Sequence, residues 1–138
     1  GGPVVDENME TSIEGVFACG NVVHVHDLVD HVTKEGEEAG RNAARRVLGE
    51  LPKLKRHIHL RAGKGLRYVV PQVISGEKTL TLYARVWKPA FNVRIRVGRD
   101  ITIHRRVVKP PELVTIDLTA ERLRKLGEEK ELTVDVVA

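Results

Sequence analysis

The residue types best suited to chemistry fall in one short segment that contains three histidines and two aspartates. They are His24, His26, Asp27, Asp30 and His31. Neutral imidazoles and carboxylates are common zinc ligands when the fold makes them converge. In a His-x-His-x-Asp-His zinc motif the aspartate comes two residues after the second histidine, whereas here Asp27 follows His26 directly and His31 comes five residues later. We therefore predict no metal site and interpret these residues as a loop and a helix cap.

Cys19 is the only cysteine, and it lies at the end of a short apolar run. A single cysteine forms neither an intramolecular disulfide nor a zinc knuckle. A lone cysteine at the end of a strand is most often a small buried hydrophobe. Packing is therefore the favoured interpretation, with a redox role as the alternative. The lack of a disulfide framework also predicts a reducing, cytoplasmic compartment.

A glycine-bounded apolar run precedes the histidines, and a long helical pattern follows them. Gly15–Gly20 predicts a short buried strand, and the helix is expected over about residues 27–48. One face of this helix carries small and apolar residues at steps of three and four. These residues are Leu28, Val32, Gly36, Gly40, Ala43 and Val47. Asp27 or Asp30 is placed to cap the start, and the small residues predict close packing against another backbone or self-association of the chain.

Alternation of polar and apolar residues replaces the helical spacing from about His57 onward, and this predicts short strands. The runs are Tyr68–Ile74 (broken at Pro71), Thr79–Trp87, Asn92–Val97, Ile101–Ile103, Val114–Leu118 and Leu132–Val136. A short helix is expected over Ala120–Leu126. The pattern is typical of a small all-β sandwich or barrel. The chain is thus divided into residues 1–51, a linker over 52–56, and an all-β domain over 57–138.

One predicted strand carries polar and aromatic residues on the face away from the predicted core. They are Thr81, Tyr83, Arg85 and Trp87. Tyr, Trp and Arg are enriched at the centres of protein interfaces. A solvated face with cation–π pairs, opposite Arg94 and Arg96 across a hairpin, is the alternative interpretation.

The stretch Thr11–Asn21, sequence TSIEGVFACGN, resembles the last FAD-binding segment of the pyridine-nucleotide-disulfide oxidoreductase superfamily. Gly40 and the Ala43–Ala44 pair stand where that family has a glycine and a late Ala-Ala in the following helix. The fuller wording with VVHVHDLVD looks most like the FAD-dependent oxidoreductases associated with glycerol-3-phosphate dehydrogenases. The resemblance covers the first third of the chain. It implies an α+β fragment: the last strand and helix of a Rossmann-like FAD domain, followed by the small all-β sandwich-like domain.

The resemblance also implies cofactor contacts. Gly20 and Asn21 match the ribityl-binding positions, where the family usually has aspartate instead of Asn21. By register, His31, Val32 and Thr33 match the helix start that faces the pyrimidine edge of the flavin. The helix dipole would favour the negative charge that reduced flavin carries there. The parent enzyme would use FAD and take electrons from NAD(P)H; no catalytic acid or base is identified.

No G-x-G-x-x-G phosphate loop occurs anywhere in the sequence. We therefore expect a C-terminal portion of a flavin-dependent NAD(P)H oxidoreductase that is inactive alone and requires N-terminal flavin and nicotinamide domains. The alternative is a non-catalytic β-domain module that docks a partner subunit of an oxidoreductase complex. The substrate, the electron acceptor and the choice between NADH and NADPH are not specified by the sequence.

Charge and composition narrow the partners further. The net charge is +4 and the pI about 9.4, but basic and acidic residues are interleaved instead of forming a basic arm. Aromatic residues make up 4% of the chain, too few for a base-stacking platform, so we predict no nucleic-acid binding. No apolar stretch is long enough to predict a membrane span. The abundance of Glu, Lys and Arg is typical of heat-stable proteins and predicts a thermophilic origin.

Overall fold

Strands dominate the regular structure of the chain. The computed structural model describes all residues from 1 to 138. The strands are β1 (Ile58–Ala62), β2 (Leu66–Val70), β3 (Val73–Ile74), β4 (Leu80–Val86), β5 (Ala90–Val97), β6 (Ile101–Val108), β7 (Val114–Leu118) and β8 (Glu131–Val137). The helices are α1 (Val29–Val47) and α2 (Ala120–Leu123), and 3₁₀ turns span Gly20–Val22 and Arg124–Leu126. No helix combines the length and the apolar character needed to cross a lipid bilayer.

Two sheets form a sandwich. One sheet has five strands in the order β3-β1-β8-β5-β6, with β1 and β8 parallel and the other neighbours antiparallel. The other sheet has three antiparallel strands in the order β2-β4-β7. Side chains of both sheets belong to one buried cluster of 21 residues. All eight strands lie within residues 57–138, where alternation predicts strands.

Alternation along the strands explains how the core forms. In β4, Leu82, Ala84 and Val86 are buried in the shared core, as are Val93, Ile95 and Val97 of β5. Successive side chains of a strand point to opposite faces, so the apolar residues at every second position of each strand can fill the core between the two sheets. Pro71 separates β2 from β3. Proline has no backbone N–H to donate to a neighbouring strand, so it interrupts the run.

The expectation of a Rossmann-like strand and helix in the first region is wrong. Strands account for 38% of residues and helices for 21%, and no alternation of helix with parallel strand is present. The run Gly15–Gly20 forms no strand; its Phe17 makes only an isolated bridge to Glu10. The run is bounded by two glycines with positive φ, and a single run cannot form a buried strand without neighbouring strands that this chain does not supply.

Residues 1–51 instead cover the outer face of the three-stranded sheet. A small buried cluster joins Val5, Met9, Val23 and Ala39 to Val70 of β2. The main chain of Val5 also exchanges hydrogen bonds with Gln72, and the Asn42 side chain donates to the Asn8 carbonyl at 3.1 Å. The molecule therefore has three layers: the large sheet, the small sheet, and the loop-and-helix segment.

Helix α1 buries a different face from the one that its small residues predict. Glu35, Ala39 and Asn42 are buried, whereas Gly40 is exposed. No atom outside the local helix backbone lies within 4 Å of the position that a Cβ would take at Gly36 or Gly40. The polar residues turn inward because they find hydrogen-bond partners there, an outcome that apolar spacing alone does not predict.

Candidate functional site

A tight turn at Gly20 leads the chain into the candidate site. Gly20 is buried and has a φ of +73°, a left-handed conformation that favours glycine. The 3₁₀ turn Gly20–Val22 and a short loop then lead to α1. The Gly20 amide donates to Oε1 of Glu35 at 2.8 Å, which ties the turn to the second turn of the helix.

Two histidines of the loop converge on the Glu35 carboxylate. Nε2 of His24 and Nε2 of His26 each lie 3.1 Å from Oε2 of Glu35. The histidine side chains are 1% exposed and that of Glu35 is 7% exposed. Only the His24 contact has hydrogen-bond geometry; Nε2 of His26 and Nδ1 of both rings are buried without a hydrogen-bond partner. The potential ligand atoms of the three residues lie within 4.8 Å of one another. We call His24, His26 and Glu35 the His–Glu cluster.

Aromatic rings surround the His–Glu cluster. The rings of His24 and His26 are 4.1 Å apart between centroids, and Tyr83 of β4 lies 5.7 Å from His24 and 6.2 Å from His26. The ring of His31 lies 5.6 Å from the same tyrosine, and its Nδ1 is also buried without a partner. Tyr68 approaches His24 from β2, with 5.6 Å between the centroids. The outer face of the small sheet therefore forms the floor of this site.

Burial and mutual charge define the protonation of the cluster. Burial, and then the neighbouring His24, lower the pKa of His26 below its usual range although Glu35 acts in the opposite direction. Burial would raise the pKa of Glu35, but hydrogen bonds from His24 and from the Gly20 amide outweigh it, so the pKa is lowered. Burial, and then the charge of Glu35, raise the pKa of the Tyr83 phenol. The arrangement at neutral pH is a carboxylate facing a neutral His26, beside a neutral phenol.

Arg85 of β4 fastens the histidine loop to the sandwich. Its guanidinium donates to the Val25 carbonyl at 2.7 Å, to the Pro110 carbonyl at 2.6 Å and to the Tyr68 hydroxyl at 3.0 Å. Arg85 is buried and Tyr83 half-buried, so this part of the predicted outward face is neither a free interface nor a solvated face. It does not face β5 either, because β4 pairs with β2 and β7. The loop covers Tyr83 and Arg85, whereas Trp87 at the end of the same face is exposed and has the Arg67 guanidinium over its ring.

The start of α1 has no side-chain cap. Leu28 occupies the N-cap position, and the amides of Val29, Asp30 and His31 donate to no acceptor within the chain. The carboxylate of Asp27 accepts from the Leu113 amide at 3.1 Å instead of capping the helix. The predicted cap by Asp27 or Asp30 is therefore wrong. The Asp27 carboxylate is bound to the Leu113 amide, and Asp30 lies inside the first turn of the helix.

The structure places the other predicted cofactor contacts around this helix start. Asn21 is exposed, and its Oδ1 accepts from the His26 amide at 3.2 Å, which leaves its side-chain NH₂ group free. The Val32 amide is engaged within the helix, donating to the Leu28 carbonyl at 3.5 Å. Thr33 is an exposed residue of α1. The amides without an acceptor thus precede Val32 and Thr33.

Apolar side chains border the uncapped helix start. Val22, Val25, Leu28 and Val29 are between 54% and 79% exposed. Exposed apolar residues are ordinary when scattered, but a group of them around unsatisfied donors is typical of a surface that a ligand or a partner covers.

Glu35 is the functional candidate that the sequence does not predict. It lies eleven residues after His24, on a helix whose polar residues are expected to face solvent. Its convergence with the histidines depends on the Gly20 turn and on the packing of α1, neither of which has a sequence signature of its own. A scan against protein-family models finds no match, and searches among curated proteins and among solved structures find none either.

Proposed function

We propose that this chain is part of a flavin-dependent NAD(P)H oxidoreductase, with the loop from Gly20 and the first turn of α1 lying against FAD. The observation that carries the proposal is the uncapped start of this 19-residue helix. Three amides, those of Val29, Asp30 and His31, have no acceptor in the chain. Such a helix start attracts negative charge.

The chemistry at this position follows from the helix. FAD, when bound, carries the electrons that a nicotinamide supplies. The free amides and the helix dipole stabilise negative charge on the cofactor's pyrimidine edge, so they favour its reduced form. Exposed Val25, Leu28 and Val29 offer an apolar border that excludes water from this edge. Asn21 has a free NH₂ group that can donate to a ribityl hydroxyl.

The chain supplies only part of such an enzyme. It has no glycine-rich loop for the diphosphate and no nicotinamide domain. We therefore expect neither tightly bound FAD nor NAD(P)H oxidation from this chain alone. Flavin and nicotinamide domains from the missing part of the enzyme are its required partners.

The test is made with the chain joined to the polypeptide encoded immediately upstream in the same reading frame. We expect a flavin absorption spectrum that bleaches on anaerobic addition of NADH or NADPH. In this enzyme Leu28→Asp places a carboxylate at the N-cap, where it accepts from the free amides. We expect the variant to have a lower flavin reduction potential, because the new charge opposes the reduced form.

Leu28→Asn is the matched control, since it caps the same amides without adding a charge. We expect its potential to lie between those of the wild type and Leu28→Asp. Equal potentials in all three proteins would contradict contact between α1 and the flavin. An upstream frame without a glycine-rich phosphate loop would contradict the proposal as a whole.

A second candidate function, docking of an oxidoreductase partner subunit, is favoured by two exposed aromatic residues. Trp87 and Phe91 flank the turn between β4 and β5 and are 62% and 70% exposed. The Arg67 guanidinium lies 4.9 Å from the centre of the Trp87 ring. Tryptophan and arginine together are common at the centres of interfaces. This function does not exclude the first, because the two surfaces use different residues.

A further inference from the structure

The His–Glu cluster is more than a by-product of packing. We propose that His24, His26 and Glu35 bind one divalent transition-metal ion, of which Zn²⁺ is the simplest example. Two imidazoles and one carboxylate are a recurring ligand set for Zn²⁺ and for Fe²⁺. The proposal revises the expectation of no metal and does not depend on the flavin.

Two ligand-to-ligand distances in the cluster suit a common metal ion, and the potential ligand atoms of all three residues lie within 4.8 Å of one another. Zinc binds imidazole nitrogen at about 2.0–2.1 Å and carboxylate oxygen at about 2.0–2.2 Å. Two such ligands at an angle between about 90° and 109° at the metal are then roughly 2.8–3.5 Å apart by the same bond lengths. Nε2 of His24 and Nε2 of His26 are each 3.1 Å from Oε2 of Glu35.

Hydrogen bonding alone leaves the cluster incomplete. Nε2 of His26 faces the carboxylate at 3.1 Å but does not form a hydrogen bond with it, and no other atom serves as its partner. Buried polar atoms in proteins are nearly always satisfied. A metal ion that accepts the lone pair of this nitrogen supplies the missing partner.

The charge and orientation of Glu35 also favour a cation. No lysine or arginine forms a salt bridge with this buried carboxylate, and its partners are the two histidines and the Gly20 amide. The Gly20 amide holds Oε1, so Oε2 is the oxygen presented to both imidazoles. The carboxylate of Glu35 is the acidic group of the cluster. Hydrogen bonds that fix a ligand in this way are a regular feature of metal sites.

One residue of the cluster borders an open cleft. Glu35 and Tyr83 line an open cleft of about 430 Å³ between α1 and the outer face of the small sheet. Of the three cluster residues only Glu35 lines this cleft, so an ion that enters it meets the Glu35 carboxylate first. Three protein ligands leave at least one coordination position for water or another small ligand, as in catalytic zinc sites.

The first experiment titrates the chelator-treated chain with Zn²⁺ by calorimetry and with Co²⁺ by visible absorption. We expect one ion per chain, and Co²⁺ bands of the intensity typical of four or five ligands. His26→Ala and Glu35→Gln should each weaken binding by more than the roughly 10–100-fold that loss of an orienting partner costs. His104→Ala is the matched control, because His104 is exposed on β6, and it should bind as the wild type does.

The second experiment needs no variant and so does not depend on whether the substituted chains fold. In the wild-type chain labelled with ¹⁵N, Zn²⁺ should shift the ring-nitrogen resonances of His24 and His26 and leave those of His59 and His104 unchanged. Absence of stoichiometric binding would overturn the proposal. Shifts confined to the exposed histidines, or full binding by both substituted chains, would do the same.

Discussion

Glu10 and Arg46 form an ion pair that joins two parts of the first region. The Arg46 guanidinium donates two hydrogen bonds to the Glu10 carboxylate, at 2.6 and 3.1 Å, and Glu10 also accepts from the Gly15 amide. Burial would raise the pKa of Glu10, but the bonds from Arg46 and Gly15 outweigh it and lower the pKa. The pair joins the N-terminal turns to the end of α1, beyond the His–Glu cluster.

We predict that this pair makes stability depend on pH in the acid range. A carboxyl with a lowered folded-state pKa adds stability above its unfolded value, here 4.5, and loses it as the pH falls through the folded value. Glu10→Gln should therefore cost about 1–3 kcal/mol near neutral pH, as expected for hydrogen bonds to a charged group. The difference from the wild type should shrink steadily below the unfolded value. Urea denaturation at a series of pH values measures it.

Glu14→Gln is the control for this prediction. Glu14 is exposed and lies 3.7 Å from an exposed Lys53, so its loss should cost less than about 0.5 kcal/mol. Burial raises the pKa of Asp6, and the charge of Glu10 adds to this effect, so Glu10→Gln also changes the titration of Asp6. The comparison is therefore repeated in an Asp6→Asn background, which removes that contribution. A cost for Glu10→Gln that is the same at acid and neutral pH would contradict the assigned role of Glu10.

The residue types in the sequence predict only part of the candidate site. His24 and His26 are conspicuous as residue types, and the sequence correctly predicts that they precede a helix. The sequence does not predict their contact with Glu35. That contact depends on a left-handed turn at Gly20 and on the packing of α1 against another layer. Spacing rules describe ligands within one segment, whereas this cluster joins a loop to a helix face.

At the scale of elements, alternation predicts strands well and helix faces less well. The runs around β4, β5, β7 and β8 predict strands because each has one buried apolar set that alternates with polar residues. The inward face of α1 was misassigned because Glu35 and Asn42 are buried with partners, while Leu28 and Val47 are exposed. Apolar periodicity reflects the free energy gained when apolar side chains leave water. It does not include the hydrogen bonds that allow polar side chains to be buried.

The open face of α1 gives a prediction at this scale. Gly40 is exposed and an added Cβ would meet nothing, so Gly40→Ala should stabilise the monomeric chain by up to about 1 kcal/mol through helix propensity. Gly36→Ala should behave in the same way. Ala39→Gly, at a buried position, should instead cost more than about 1 kcal/mol.

Thermal melting, at a concentration where light scattering reports a monomer, measures these changes as shifts of a few degrees. Self-association of the chain through the exposed Leu28 and Val47 remains a prediction at higher concentration. If Gly40→Ala lowers the melting temperature of the monomer, the small-residue face packs against the chain itself and the described placement of α1 is wrong.

At the scale of the molecule, the three layers differ in how far they can stand alone. The sandwich has a single core of 21 buried residues from both sheets. The loop-and-helix layer has a cluster of five, and one of these, Val70, belongs to β2. The candidate site lies between the small sheet and this weaker layer, so any ligand bound there stabilises the contact between them.

Hydrogen exchange measures this difference between layers. β5 lies between β8 and β6, and β4 lies between β2 and β7, so their amides are bonded in interior strands over the shared core. Helix α1 contacts the rest of the molecule mainly through Glu35, Ala39 and Asn42. We expect amides of β4 and β5 to exchange only through global unfolding, and those of α1 to exchange faster through local opening of the outer layer.

Asn42→Ala, which removes the side-chain hydrogen bond to the Asn8 carbonyl, should speed exchange in α1 and leave exchange in β5 unchanged. Equal protection of α1 and β5 in the wild type would mean that the chain unfolds as one cooperative unit, and that the loop-and-helix layer is as stable as the sandwich.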